Sequence, residues 1–226
     1  MCFSASASFL AGGGLILGGV AMRRYRPIAA HEQMFAATPF FFGIQQLSES
    51  LVWLGVSGSV PESVQSIAIY FFSFMAFVFW PIYIPCSMIR YQRTGAARFS
   101  VPLQWTGLAI GLYYLWCFTV YSDLRLVVSC GADDCGSLAY VFSLPYLDSA
   151  INYFYLAVVT LPFFLSTNVR IRWLVGSGFL VSFGLATLIS VPDAFPSVWC
   201  FFAALMSLSI FFSLASKESV RPGPAG

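Results

Sequence analysis

Seven stretches of the chain are apolar over roughly the ~20 residues that a helix needs to cross the hydrocarbon of a bilayer. They cover residues 7–22, 36–56, 66–89, 103–121, 144–165, 173–190 and 197–214, and short loops join them. The pattern predicts an all-α polytopic membrane protein, a bundle of about seven transmembrane helices. It forms a single domain over residues 1–216. The remainder, residues 217–226, is polar and rich in Pro and Gly and reads as a short, disordered cytoplasmic tail. The first stretch does not read as a cleaved signal, because no basic region precedes it and Arg23, Arg24 and Arg26 follow it.

Local signals refine these helices. Gly14 and Gly18, in a first span that also holds Gly12, Gly13 and Gly19, form a Gly-x-x-x-Gly pair and predict close helix packing. Pro81 and Pro85 remove backbone donors from the third span and predict a bend. Trp105, Tyr113, Tyr114, Trp116 and Tyr121 mark the fourth, and those near its ends read as interfacial belt residues. Residues 27–38, with His31, Glu32 and Gln33, are too polar for hydrocarbon. They predict an interfacial helix or an inward extension of the second span.

Composition agrees with a lipid-built core. Of 226 residues, 59% are hydrophobic and 9% charged, against about 25% charged in soluble domains. The net charge of +2 says little; its placement says more. Arg23, Arg24, Arg26, Arg90, Arg93, Arg98, Arg170, Arg172, Lys217 and Arg221 fall on one side of the expected bundle, and only Arg125 on the other. Glu62, Asp123, Asp133, Asp134 and Asp193 lie on that other side. The positive-inside rule then puts the N-terminus outside and the C-terminus inside, which an odd number of spans requires. The expected location is the bacterial inner membrane. No basic run suited to nucleic acid is present.

The second span is the exception to this apolar pattern. Gln45, Gln46, Ser48, Glu49 and Ser50 lie in its middle, and Gln45, Gln46, Glu49 and Trp53 share one helical stripe. Inserting an acidic residue at membrane depth costs at least ~2.5–3.5 kcal/mol, so it must face protein or a wet cavity. In the fifth span Asp148, followed by Asn152 and Tyr155, falls at the same outer depth as Glu49, and Cys2 and Ser4 enter the same layer. If these helices are neighbours, Cys2, Ser4, Gln45, Gln46, Glu49, Trp53, Asp148 and Asn152 form an outer-leaflet binding pocket in which Glu49 or Asp148 could act as acid or base. The competing view makes Glu49 interhelical glue, hydrogen-bonded to a glutamine or a tyrosine.

The cysteines divide by position. Cys130 and Cys135 flank a short outer loop, and a local disulfide is the expectation there. Metal binding by this pair with Asp133 and Asp134 is the alternative. The set lacks a histidine and suits zinc poorly, so no metal site is assigned. Cys86, Cys117 and Cys200 read as buried apolar residues. Cys2 could place a thiol beside a free amine after methionine removal; the plainer alternatives are a small helix-entry residue or an oxidised thiol.

The opening MCFSASASFLAGG and the later PFFFGIQQLSESLVWLG together resemble an uncharacterised family of bacterial multi-pass membrane proteins. Members begin Met-Cys-aromatic-Ser-Ala-Thr-Ala and carry Pro-apolar-Gly-x-(His or Gln)-Gln-x-x-Glu-x-x-x-Trp. Cys2, Phe3, Ser4, Ala5, Pro39, Gly43, Gln45, Gln46, Glu49 and Trp53 fit; Ser6 stands where Thr is usual. The resemblance covers the first quarter of the chain, adds weight to Cys2 and Glu49, and implies no activity.

Familiar seven-helix chemistries fit badly. Lys217 lies beyond the last span, where no retinal could reach it. His31, the single histidine, is on the opposite side from Asp148, unlike the ligand sets of metal-dependent hydrolases. Neither a haem motif nor a nucleotide loop is present, and the second half does not repeat the first. Three classes remain. One is a binding or sensing protein, or an accessory subunit, whose partners are the lipid bilayer and either other membrane subunits or a small hydrophobic ligand. The second is a lipid hydrolase-like enzyme using Glu49 and Asp148. The third is a small proton-coupled transporter. No cofactor is indicated; the 24 Phe are ordinary lipid-facing and core material.

Overall fold

A computed structural model describes residues 4–25, 27–92, 100–121, 124–130, 136–146, 150–189 and 194–215. Helix α1 is Ala5–Tyr25. The Ser4 hydroxyl accepts the Ala7 amide at 3.3 Å, as an N-terminal cap does, and Arg23 and Arg24 in the last turn complement the helix dipole. The short α2, Gln33–Ala36, leads into α3, Thr38–Val56, whose first turn contains Pro39. Just beyond α3, Gly58 takes a left-handed conformation, φ +71°, and reverses the chain. Helices α4, Glu62–Ser73, and α5, Trp80–Gln92, are joined by a π-helical turn over Phe74–Phe79 into one rod of 31 residues. Then come α6, Val101–Val120; α7, Ala150–Phe164; α8, Gly176–Ile189, preceded by a π turn at Ile171–Val175; and α9, Phe195–Ala215.

Among the described residues, four helical runs are long and apolar enough to cross a membrane: Ala5–Arg24, Glu62–Gln92, Ile171–Ile189 and Phe195–Leu214. They mark the chain as a membrane protein. Helices α3 and α6 run for 19 and 20 residues, with Gln45, Gln46 and Glu49 interrupting the apolar run of α3, and Ala150–Phe164 is shorter. Large apolar side chains such as Leu10, Leu17, Leu188 and Phe212 point outward, as they would toward lipid.

The all-α expectation needs one correction. Strands β1, Arg125–Cys130, and β2, Gly136–Val141, pair as an antiparallel hairpin, with Leu126 opposite Tyr140 and Val128 opposite Leu138. Leu138 and Tyr140 turn inward onto Val52, Phe72 and Cys200, whereas Val127 and Val141 face outward. This two-residue alternation was present in the sequence, but an apolar chain masks it. Cys130 stands opposite Gly136 in the ladder; Cys135 and the expected Cys130–Cys135 disulfide lie outside the described residues.

Glycines and prolines set the closest helix contacts. Helix α1 crosses α3 where Gly12 meets Gly43: a methyl on Gly12 would sit 2.8 Å from the Gly43 carbonyl oxygen. The expected Gly14–Gly18 pair does not do this. Gly14 faces open space and Gly18 meets only Phe211. The Gly-x-x-x-Gly that packs is Gly107 and Gly111 on α6. A methyl on Gly107 would lie 1.9 Å from the Pro81 oxygen, and one on Gly111 would lie 3.0 Å from the Val78 oxygen. Pro85 has no N–H to offer the Pro81 carbonyl, so that oxygen is left open to α6. Just ahead of the prolines in this rod lies the π turn, where the Tyr155 hydroxyl donates to the Ala76 carbonyl.

The two ends of the bundle differ. Arg23, Arg24, Arg90, Arg170 and Arg172 collect at one end. There Tyr91 accepts a hydrogen bond from Asn168 at 3.0 Å and packs 5.1 Å from Phe35. The hairpin covers the other end. Helix α9 runs between them, touching α1, α2, α3, α8 and β2.

Candidate functional site

The polar stripe on α3 is buried: Gln45 and Gln46 are 0% exposed and Glu49 1%. Each meets a different environment. Both polar atoms of the Gln45 amide have a partner. Trp80 Nε1 donates to its oxygen at 2.6 Å and its nitrogen donates to Cys200 Sγ at 3.3 Å, so one side chain ties α3 to α5 and α9. Phe42 stacks on the Trp80 ring at 3.8 Å and fixes it from the other side. Ser48 and Ser50 turn their hydroxyls back onto the carbonyls of Gln45 and Leu47 at 2.7 Å, which hides their polarity within the helix.

Glu49 accepts a hydrogen bond from the Ser197 hydroxyl of α9. Gln46 lies beside the Glu49 carboxyl, yet neither polar atom of its amide meets a partner at hydrogen-bond geometry. Trp53, one turn on, packs against the hairpin cluster, with its Nε1 buried and unpartnered. The hairpin closes the top. Tyr140, 4% exposed, stacks on Phe72 at 4.5 Å, and its hydroxyl has no partner. Burial pushes the Tyr140 phenol well above its ordinary range, and the nearby Glu49 and Cys200 side chains push the same way.

A separate cavity of about 470 Å³ lies on the other side of α9. Phe77, Tyr114, Tyr155, Phe183, Phe195 and Trp199 form its walls, with Asn152, Thr187 and Cys200 as further polar groups. Tyr114 donates to Asn152 Oδ1 at a long 3.4 Å, and Trp199 is held by a 3.2 Å bond to Ser182 Oγ. Tyr153, 75% exposed, stands at the rim. Residues Pro196 and Trp199 of α9 face this cavity, while Ser197 turns to Glu49 and Cys200 touches both sides.

The structure therefore divides the expected pocket. Gln45, Gln46, Glu49 and Trp53 stay together in a closed stripe. Asn152 belongs to the aromatic cavity behind α9. Ser4 bonds locally, to Ser6 Oγ at 3.0 Å and to the Ala7 amide. Cys2 and Asp148 lie outside the described residues. Cys200 and Cys117 are buried as expected, whereas Cys86 is only half-buried and accepts a bond from Gln104 at 3.0 Å. Sequence reasoning missed Ser197, Tyr140, Trp80 and Trp199. The i,i+3 spacing of Ser197 and Cys200 on the last span was the available signal for a polar face there.

Residues 1–225 match the model of DUF6629, a family of unknown function, and the chain belongs to that family. This agrees with the uncharacterised family implied by the N-terminal and second-span motifs. No curated protein and no solved structure matches the chain.

Proposed function

We propose that the protein is a seven-span protein of the bacterial inner membrane that binds a small amphipathic molecule in the cavity between α6, α7, α8 and α9. The N-terminus and hairpin lie outside and the C-terminus inside. The arginines gathered at the opposite end from the hairpin support this orientation through the positive-inside rule.

The observation that carries the binding role is the cavity. Its volume of about 470 Å³ lies in the range of small-molecule sites, roughly 300–1,000 Å³. Aromatic walls suit an apolar body, and Asn152, Tyr114 and Thr187 suit one hydrogen-bonding head group. Glu49 does not line this cavity, so it is a partner of Ser197 rather than a reacting group. That favours binding, sensing or an accessory role over the hydrolase and carrier alternatives.

Native mass spectrometry of protein purified in mild detergent tests the assignment, with lipid extraction to identify any adduct. A bound small molecule should be lost or weakened in Leu156→Trp, which fills the cavity, and in Asn152→Leu, which removes the head-group contact. Equal retention by the wild type and both folded variants would place the ligand elsewhere.

A further inference from the structure

We propose that the molecule held in the cavity between α6, α7, α8 and α9 carries a quaternary ammonium group, seated among the rings of Tyr114, Tyr155, Phe183 and Trp199. This rests on the binding role proposed above and names the chemical class of its ligand.

The hydrogen bonds of the wall decide the class. Trp199 Nε1 donates to Ser182 Oγ at 3.2 Å, and the Thr187 hydroxyl donates to the Gly184 carbonyl at 2.8 Å. The Tyr155 hydroxyl donates to the Ala76 carbonyl, and that of Tyr114 to Asn152 Oδ1 at 3.4 Å. All four hydrogens are spent on the protein itself, so these side chains offer a ligand ring surface and oxygen lone pairs. The Asn152 NH2, with the Tyr153 hydroxyl at the rim, supplies the donors left for a ligand. Among the described residues the wall holds no Asp, Glu, Lys, Arg or His. An anion would meet no positive charge there. A primary ammonium would bring three N–H donors and a tightly held water shell, with no carboxylate in the wall to replace it. A quaternary ammonium has no N–H to satisfy; its methyl shell is apolar and its charge is drawn to aromatic faces. The rings also turn round the space as panels. Tyr114 and Tyr155 meet at 86°, Tyr155 and Trp199 at 75°, and Phe183 and Trp199 at 84°. The near-parallel pair Phe195 and Trp199 has centroids 5.8 Å apart. A flat ring between them would need about 7 Å, two contact distances, which disfavours a quinone-like ligand. The Asn152 NH2 then suits an oxygen beside the ammonium, whether of free choline or of a choline phospholipid headgroup.

Calorimetric titration of the full-length protein in maltoside detergent tests the charge. The probes are choline and its uncharged isostere, in which a tert-butyl group replaces the trimethylammonium. Choline should bind at least about tenfold more tightly. Trp199→Leu should lose that preference, and Trp199→Phe should keep part of it. Dihexanoyl phosphatidylcholine, set against dihexanoyl phosphatidylglycerol, separates the sources: a choline lipid that outbinds free choline identifies the headgroup, and the reverse identifies the free solute. Equal affinity for choline and its isostere would overturn the cation and leave the cavity a binding site. So would a copurified adduct that Leu156→Trp displaces and that contains no quaternary ammonium. A preference for choline unchanged in folded Trp199→Leu would overturn the seat among these rings. Binding of none of these probes, together with no copurified adduct, would remove the binding role itself.

Discussion

Ser197 of α9 donates its hydroxyl hydrogen to the carboxyl of Glu49 on α3, across 148 positions of sequence. Hydrogen bonds between helices in a membrane average about 0.6 kcal/mol and reach about 1.7. Glu49→Gln keeps an oxygen for Ser197 and should unfold within about 1 kcal/mol of the wild type. Glu49→Leu strands the hydroxyl and should cost about 1–3 kcal/mol. Thermal unfolding in detergent checks both. A leucine variant as stable as the glutamine one would show that the bond contributes nothing.

Gly107 carries the contact between α6 and α5. A side-chain carbon there would lie 1.9 Å from the Pro81 oxygen, a backbone atom that cannot turn aside. Gly107→Ala should therefore destabilise by about 1–3 kcal/mol or more, as overpacking does. Gly13 has nothing within 4 Å of its methyl position. Gly13→Ala should instead stabilise by roughly 0.5–1 kcal/mol through helix preference alone. The two shifts in midpoint should have opposite signs.

The hairpin is anchored through Leu138, which is fully buried. Leu138→Ala should cost about 2–5 kcal/mol of the hairpin's seating, read as faster amide exchange at residues 136–141. Val127→Ala, on the outward face, should leave exchange unchanged.

Tyr140 makes that seating pH-dependent. Its folded pKa is raised, so the uncharged phenol is the form the fold prefers. The stabilisation is complete below the unfolded value of about 10 and is lost as pH rises beyond it. The wild type should lose more of its midpoint above about pH 10 than Tyr140→Phe does. Parallel curves for the two would remove Tyr140 as the cause.

Orientation is open to cysteine labelling. Ser57, in the loop after α3, lies toward the hairpin end, and Val169 lies beside Asn168 at the arginine end. In spheroplasts a membrane-impermeant maleimide should label Ser57→Cys at once, and Val169→Cys only after permeabilisation. The reverse order would invert the proposed topology.

The apolar runs, the arginine placement and the polar stripe of α3 were legible in the sequence. Each follows from a repeat or a composition local to one segment, and transfer between water and hydrocarbon acts on segments as units. Thus, among the described residues, four of the runs appeared as helices long and apolar enough to cross a membrane, and Gln45, Gln46, Glu49 and Trp53 emerged on one stripe. The partners of that stripe were not legible. Ser197, Cys200, Trp80 and Tyr140 come from three distant elements, and only packing decides that α9 lies between Glu49 and the cavity that Asn152 lines. The glycines show the same division. Gly14–Gly18 and Gly107–Gly111 are one pattern in the sequence, but only the second faces a carbonyl freed by proline. The hairpin's alternation was local and went unread because, in a chain where apolar residues are the rule, it contrasts little with its surroundings.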